Sequence, residues 1–317
     1  MVTVNPNATY QEIRLRKDPH KGKEKSAPYR EYRRKWEEYP QKQIVGEFPI
    51  HLDIETTNAC NARCVICPHQ HMRRPVERMD DALFGRIVDE CAAWRCREIH
   101  LHNFGEPLLD KRLEERVRYA KEKGIAKVKI FSNGSLLTAE RARGLIEAGL
   151  DEIKISFDGA TREEFEAIRR PLQFDRVVGN VEHLVKVRDE LGARMKIGVA
   201  CCSTTDRQAT METLAKRVDD FSFGKIHNWA SEGQPAGRTG IRKPCARLWR
   251  TFTVLASGDI ALCCLDYDGQ HVLGRLDGAT TIREIFDSPA YREVRRQHRQ
   301  ARQAEIALCA QCSKAFL

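Results

Sequence analysis

The stretch His51-Leu52-Asp53-Ile54-Glu55, followed by Asn58-Ala59-Cys60-Asn61-Ala62-Arg63-Cys64-Val65-Ile66-Cys67-Pro68, decides how the chain is read. A short β-rich run opens into a loop with three cysteines spaced C-x3-C-x2-C, and three thiolates so spaced can turn toward one centre. Soft thiolates select zinc or an iron-sulfur cluster, and a structural zinc closes its shell with four protein ligands. The loop offers no fourth cysteine. A cubane [4Fe-4S] cluster on three thiolates instead leaves one iron open to an outside molecule. A zinc loop completed by His69 or His71 is the competing reading.

On Cys60, Cys64 and Cys67 the chain resembles the radical S-adenosylmethionine (SAM) enzymes, whose hallmark is this spacing after a first β-strand. The resemblance implies that SAM chelates the open iron, that the reduced cluster splits it, and that the resulting 5′-deoxyadenosyl radical takes a hydrogen atom from the substrate. It also implies an electron donor such as flavodoxin or ferredoxin.

The 317 residues suffice for one large α/β domain and a smaller one. Apolar residues make up 41% and charged residues 31%, so the chain is expected to fold. The first forty residues are charged and show no apolar signal region, and no run of eighteen apolar residues occurs, so neither secretion nor a membrane span is expected. The twelve cysteines are then read as metal-serving or core thiols in a reducing cytoplasm. A net charge of +9 favours an anionic partner, and a small-molecule substrate fits better than nucleic acid because no basic motif interleaved with aromatics is present.

Residues 1–46 read as a basic extension, with a Lys-rich patch from Lys17 to Lys25 and one helix whose Tyr29, Tyr32, Trp36 and Tyr39 share a face until Pro40 ends it. Residues 47–233 alternate β-rich runs with amphipathic helices, the pattern of parallel βα units. Strands are expected at Glu98–His102, Lys127–Phe131, Glu152–Phe157, Met195–Cys201 and Lys225–Trp229 after the first, giving a partial (βα)6 TIM-like barrel. In barrels of this kind chemistry gathers at the C-terminal ends of strands. Gln234 to Gly240 reads as a linker, and 234–317 as a small cysteine-rich domain of a β-hairpin (Thr251–Leu255 with Asp259–Leu262) and helices. The arginines from Tyr291 to Ala304 read as a solvated helix face.

Gly105-Glu106-Pro107 after the second strand resembles the family's element that receives the SAM amino group, with one glycine before the acid. Ser132, Asn133, Ser156 and Asp158 end strands three and four, where they are candidates for the ribose and methionyl groups; the competing reading is ordinary Asn-Gly and Asp-Gly turn chemistry. Arg169 resembles the arginine that meets the SAM carboxylate, with Arg170 as a rival.

Cys245, Gly258 with Cys263 (G-x4-C), and Cys309-Ala310-Gln311-Cys312 resemble Twitch, the shortened SPASM domain, which implies one auxiliary [4Fe-4S] cluster on four thiolates. A zinc ribbon is the competing reading. Cys264 is an alternative ligand to Cys263, and Cys264 and Cys201 are candidate thiol hydrogen donors, against the commoner fate of a buried small hydrophobe. The expected activity is oxidation of an alcohol on a sugar, aminocyclitol or nucleotide derivative. Epimerisation, modification of a ribosomal peptide, and a zinc-knuckle protein without catalysis are the alternatives.

Overall fold

The computed structural model describes residues 2–3, 10–15, 26–202, 206–214, 217–224, 229, 242–310 and 312. Its strands are β1 (Val2–Thr3), β2 (Tyr10–Arg14), β3 (His51–Ile54), β4 (Glu98–His100), β5 (Lys127–Ser132), β6 (Glu152–Ser156), β7 (Lys196–Cys201), β8 (Asp220–Gly224), β9 (Thr251–Val254), β10 (Asp259–Ala261) and β11 (Val272–Arg275). They form one sheet in the order β1-β2-β8-β7-β6-β5-β4-β3-β9-β10-β11. From β3 to β8 neighbours are consecutive and parallel, the arrangement of a partial TIM-like barrel.

Between them run α2 (Asp81–Ala93), α3 (Leu113–Glu122), α4 (Ala139–Glu147), α5 (Arg162–Ile168), α6 (Phe174–Glu190) and α7 (Arg207–Leu214). Each starts where the chain supplies a cap or an acidic first turn: Asp80 accepts from Ala82 and Leu83, Thr138 from Arg141, and Thr161 from Glu164. Alternate strand residues, among them Leu52, Ile54, Ile99, Val128, Ile130, Ile153, Ile155, Ile197 and Val199, are fully buried in the core.

The opposite strand faces carry charge that is buried and paired. Lys127 bridges Glu98 (3.2 Å) and Glu152 (2.8 Å), and Lys129 joins Glu152 (3.0 Å). Lys154 pairs with Asp220 and donates to Ser222 Oγ (2.9 Å), while Lys196 pairs with Asp220 and reaches Glu12 of β2 at 3.4 Å. Gly198 makes room for this belt, because a Cβ there would collide with Asp220 Oδ1 and with Lys154 Cδ at 2.8 Å.

Three expectations change. The sixth parallel strand is Asp220–Gly224 rather than Lys225–Trp229, since Asp220 is the interior counter-ion of two lysines and Phe221 and Phe223 supply the outward alternation; 225–228 lie outside the described residues. The N-terminal segment contributes more than a helix, for β2 pairs antiparallel with β8. Helix α1 (Ala27–Lys42) runs past Pro40. Proline has no N–H to offer Trp36 O, four residues back, and Arg250 Nη1 takes up that carbonyl at 3.4 Å. The Lys17–Lys25 patch and the Gln234–Gly240 linker fall outside the described residues.

α1 packs on the N-terminal ends of β3 and β4: Tyr32 OH donates to Glu98 Oε2 (2.7 Å), and Trp36 lies 4.8 Å from the His51 ring. At the other edge β9 runs parallel to β3, with His51 beside Thr251 and Ile54 beside Val254, and β10 and β11 continue antiparallel. Helices α8 (Ile282–Phe286), α9 (Pro289–Arg299) and α10 (Ala307–Ala310) complete the C-terminal part. The sequence reading missed β11 and ran the α9 helix on to Ala304, where a short 3-10 turn stands instead.

Gly198→Ala is expected to lower unfolding free energy by about 1–3 kcal/mol through overpacking of the ion belt. Gly179→Ala, in α6 with nothing within 4 Å of the added methyl, is expected to raise it by roughly 0.5–1 kcal/mol. Urea denaturation of the two variants reads both signs.

Candidate active site

The cysteine loop leaves the C-terminal end of β3 and is held by backbone bonds on two sides. Arg63 N donates to Arg170 O (2.6 Å) and Val65 N to Ile168 O (2.9 Å), tying it to the end of α5. Ala62 N donates to Cys60 Sγ (3.4 Å), and Trp229 Nε1 to Ile66 O (2.8 Å). Burial pushes the Cys60 thiol up to about 12, the Cys67 thiol up to about 11, and Cys64 upward as well. His69 spends Nε2 on Asn58 O (2.7 Å) and His71 is exposed, so neither is set as a fourth ligand. A cleft of about 390 Å³ opens beside the loop, lined by Cys60, Asn61, Arg63, Arg170 and Pro171.

Gly105 is where the turn after β4 meets this loop. Its φ of 101° suits glycine, and a Cβ would come within 2.5 Å of Thr57 O and 2.8 Å of Asn58. Glu106 N then donates to Ala59 O (2.7 Å). The Glu106 carboxylate is buried and occupied: Oε1 accepts from Leu108 N (3.1 Å) and Ser132 Oγ (2.7 Å), and Oε2 from Asn133 N (2.7 Å). It therefore fastens the end of β4 to the end of β5. Burial raises its pKa, against the pull of those donors.

Asn133 Nδ2 donates to Asn61 Oδ1 (2.9 Å), Asn61 Nδ2 to Ser135 Oγ (2.9 Å), and Ser135 Oγ to Asn133 Oδ1 (2.7 Å). This ring joins the cysteine loop to β5. The sequence reading missed Asn61 and Ser135; the Asn between the first two cysteines was the available signal.

At the end of β6, Ser156 shares the interior-facing parity of Glu152 and Lys154 and is half-buried. Asp158 Oδ2 accepts from Arg169 Nε (2.8 Å) and Nη2, and Oδ1 from Cys202 N (2.5 Å). Arg169 Nη1 lies 3.9 Å from Cys64 Sγ, and despite burial its pKa is raised by Asp158 and Cys64. Arg170 is exposed on the cleft, so the arginine facing the cysteines is Arg169. Cys201 shares the outward parity of Ile197 and Val199, is buried, and gives its thiol to Phe157 O. Its place in the core runs against the hydrogen-donor expectation.

In the C-terminal part Cys245 precedes a 3-10 turn (Ala246–Trp249), Cys263 follows β10, and Cys309 and Cys312 flank the end of α10. The thiols act on one another, Cys263 with Cys264 and Cys245, and Cys309 with Cys245 and Cys312. Arg242 clamps the last pair by donating to Cys309 O (2.7 Å), Ala310 O (2.8 Å) and Cys312 O (3.3 Å). Cys263 Sγ accepts from Leu265 N (3.4 Å). Cys264 acts most strongly on Arg247, whose Nη1 also reaches Asp53 Oδ2 of β3 at 3.4 Å.

Glu55 links the two parts. Fully buried, it accepts from Arg74 Nη1 (2.8 Å) and Nη2 (3.0 Å), Phe104 N (3.3 Å) and Ala256 N (3.1 Å).

A set of three thiols beside a glycine cradle and a set of four, one pair of it clamped by arginine, fit iron-sulfur ligation. Residues 54–195 match the Radical SAM superfamily, and 245–313 match an iron-sulfur cluster-binding domain, SPASM. The chain is 30% identical over 168 residues to the tungsten-containing aldehyde ferredoxin oxidoreductase cofactor-modifying protein of Pyrococcus furiosus, covering 52% of this chain and 47% of that one. It spans about half the length of the curated relatives it matches. Among solved structures it is similar to BtrN in complex with AdoMet and 2-DOIA (TM-score 0.59, 19% identity, 86% of this chain and 95% of that one). It is also similar to Streptococcus suis SuiB bound to precursor peptide SuiA (TM-score 0.66, 13% identity, 91% and 75%).

Glu55→Gln leaves the buried Arg74 without its counter-charge and is expected to cost about 3–5 kcal/mol of stability, read by denaturant unfolding. Gly105→Ala is expected to weaken SAM binding at least about tenfold, since a clash of roughly 1.4 kcal/mol suffices for that factor. Equilibrium dialysis with labelled SAM measures it.

Proposed function

The chain belongs to the radical SAM superfamily and carries a C-terminal iron-sulfur cluster-binding domain, and from that premise we propose that it oxidises an alcohol of a small polar molecule to the ketone. The substrate class is a sugar, aminocyclitol or nucleotide derivative. Bound SAM and its [4Fe-4S] cluster supply a 5′-deoxyadenosyl radical for hydrogen-atom abstraction, and an auxiliary [4Fe-4S] cluster supplies an acceptor for the electron that remains once the substrate hydroxyl has lost its proton.

Cys60, Cys64 and Cys67 hold the first cluster, and Cys245, Cys263, Cys309 and Cys312 the second. The backbone carbonyls of the Gly105 turn receive the SAM amino group, since the Glu106 carboxylate is spent on Ser132 and Asn133. Arg169, held by Asp158, meets the SAM carboxylate beside Cys64. Ser156 and Asn133 line the place of the nucleoside. An acidic electron-transfer protein such as flavodoxin or ferredoxin serves as donor, and twelve free thiols suit a reducing cytoplasm. Among the described residues no helix is long and apolar enough to cross a membrane.

The observation that carries the reading is the parallel pairing of β9 with β3. It runs the strand that lies between Cys245 and Cys263 in the chain beside the strand that feeds the cysteine loop, and Arg247, in the turn before β9, reaches Asp53 of β3. BtrN, crystallised with AdoMet and 2-DOIA and aligned over nearly its whole length, supports the small-molecule class, while SuiB with its bound peptide favours a peptide as the second reading.

Anaerobically reconstituted protein is expected to hold about eight irons per chain, and Cys64→Ala about four with no 5′-deoxyadenosine. Cys309→Ala retains 5′-deoxyadenosine formation but not the product two hydrogens lighter than its polyol. Cys264→Ala leaves that product intact; its loss, with an isomer of unchanged mass in the parent enzyme, would point to epimerisation. Turnover of peptides and of no polyol sinks the small-molecule reading.

A further inference from the structure

We propose that His51, Asp53 and His100 form a binding site for one divalent transition-metal ion, distinct from both cysteine arrays. His51 and Asp53 point to the same face of β3, and His100 stands opposite Asp53 on β4. His51 Nε2 and His100 Nδ1 converge on one oxygen, Asp53 Oδ1, at 3.4 and 3.1 Å. One donor atom from each residue lies within 4.8 Å of the other two.

The far side of His100 carries the argument. Its Nε2 sits 2.8 Å from Glu98 Oε1, and Glu98 Oε2 accepts from Tyr32 OH at 2.7 Å. A carboxylate hydrogen-bonded to Nε2 is the arrangement found behind metal-ligating imidazoles, and it makes Nδ1 the nitrogen available to an ion beside Asp53. With no ion bound, the ring can donate to both carboxylates, Asp53 Oδ1 at 3.1 Å and Glu98 Oε1 at 2.8 Å, and an ion at Nδ1 takes the place of that one proton. His51 adds a second imidazole to the same point, and its Nδ1 is buried with no hydrogen-bond partner among the described residues. Arg247 Nη1 holds the other Asp53 oxygen, which leaves Oδ1 to the ion.

Two imidazoles and one carboxylate suit zinc and its first-row neighbours, and three protein donors leave a coordination position for water or a ligand oxygen. Trp36 of α1 closes the site from the strand N-termini, 4.8 Å from the His51 ring, and the His102 ring stacks 5.4 Å from His100 on the other side. The cysteine loop begins beyond the opposite end of β3, so the two metal settings do not share ligands.

The test uses the full chain with its clusters reconstituted anaerobically, equilibrated with zinc(II), freed of loose metal by gel filtration, and assayed by mass spectrometry and zinc-edge X-ray absorption. The expected result is about one zinc per chain beside unchanged iron, with a nitrogen and oxygen shell at about 2.0–2.1 Å and no sulfur at about 2.3 Å. His100→Ala is expected to lose the zinc and keep its iron, and Glu98→Gln to weaken zinc about 10- to 100-fold. A wild-type chain that takes no zinc, holds it through sulfur, or gives it up equally with and without His100 overturns the proposal. The wild-type spectrum decides the matter if the variants fail to fold.

Discussion

The structure depends on one buried ion pair, Glu55 with Arg74. A carboxylate with no exposed surface must be paired and hydrogen-bonded to be tolerated, and Glu55 meets the demand by recruiting partners from three places in the chain. Arg74 comes from beyond the cysteine loop, Phe104 N from the turn after β4, and Ala256 N from the hairpin of the C-terminal part. The same bonds that relieve the charge thus draw the loop, the Gly105 turn and the cysteine-rich part to the end of β3. Arg74 Nε and Arg73 extend the seam to Tyr267 O (2.8 Å) and Asp268 (2.9 Å).

Below that level the barrel interior is ionic rather than oily. Glu98, Glu152 and Asp220 pair with Lys127, Lys129, Lys154 and Lys196 across five strands, so that removing one partner would leave a buried charge uncompensated. Above that interior, asparagine, serine and the Asp158–Arg169 pair tie the cysteine loop and the ends of β5 and β6 together. The two levels divide the work, one supporting the strands and the other shaping the mouth.

The alternation of βα units, the helix caps and both cysteine spacings were legible in the sequence, because each is a local pattern a few residues long. What escaped it was long-range. Glu55 and Arg74 carry no motif, and nothing in a strand reading Glu-Ile-His says that the acid and the histidine face inward. Asp220 lies ahead of the strand expected at Lys225–Trp229, and only its pairing with Lys154 and Lys196 sets it inside the sheet. Pro40 was read as a stop, and only Arg250, 210 positions away in the chain, explains why the helix goes on past it. Asn61 was visible, but its bond to Asn133 was not.

The parallel strands do not close on themselves, so each flank of the sheet needs a cover. On one flank β2 satisfies β8 across five residue pairs, and the strand outside it is only two residues long. On the other, β11 is four residues and ends in Arg275, which leans back to Asp259. Short, charged borders leave little unpaired backbone on which another polypeptide could template itself. The same trim that finishes the fold thus discourages aggregation of an enzyme that has to wait for its iron.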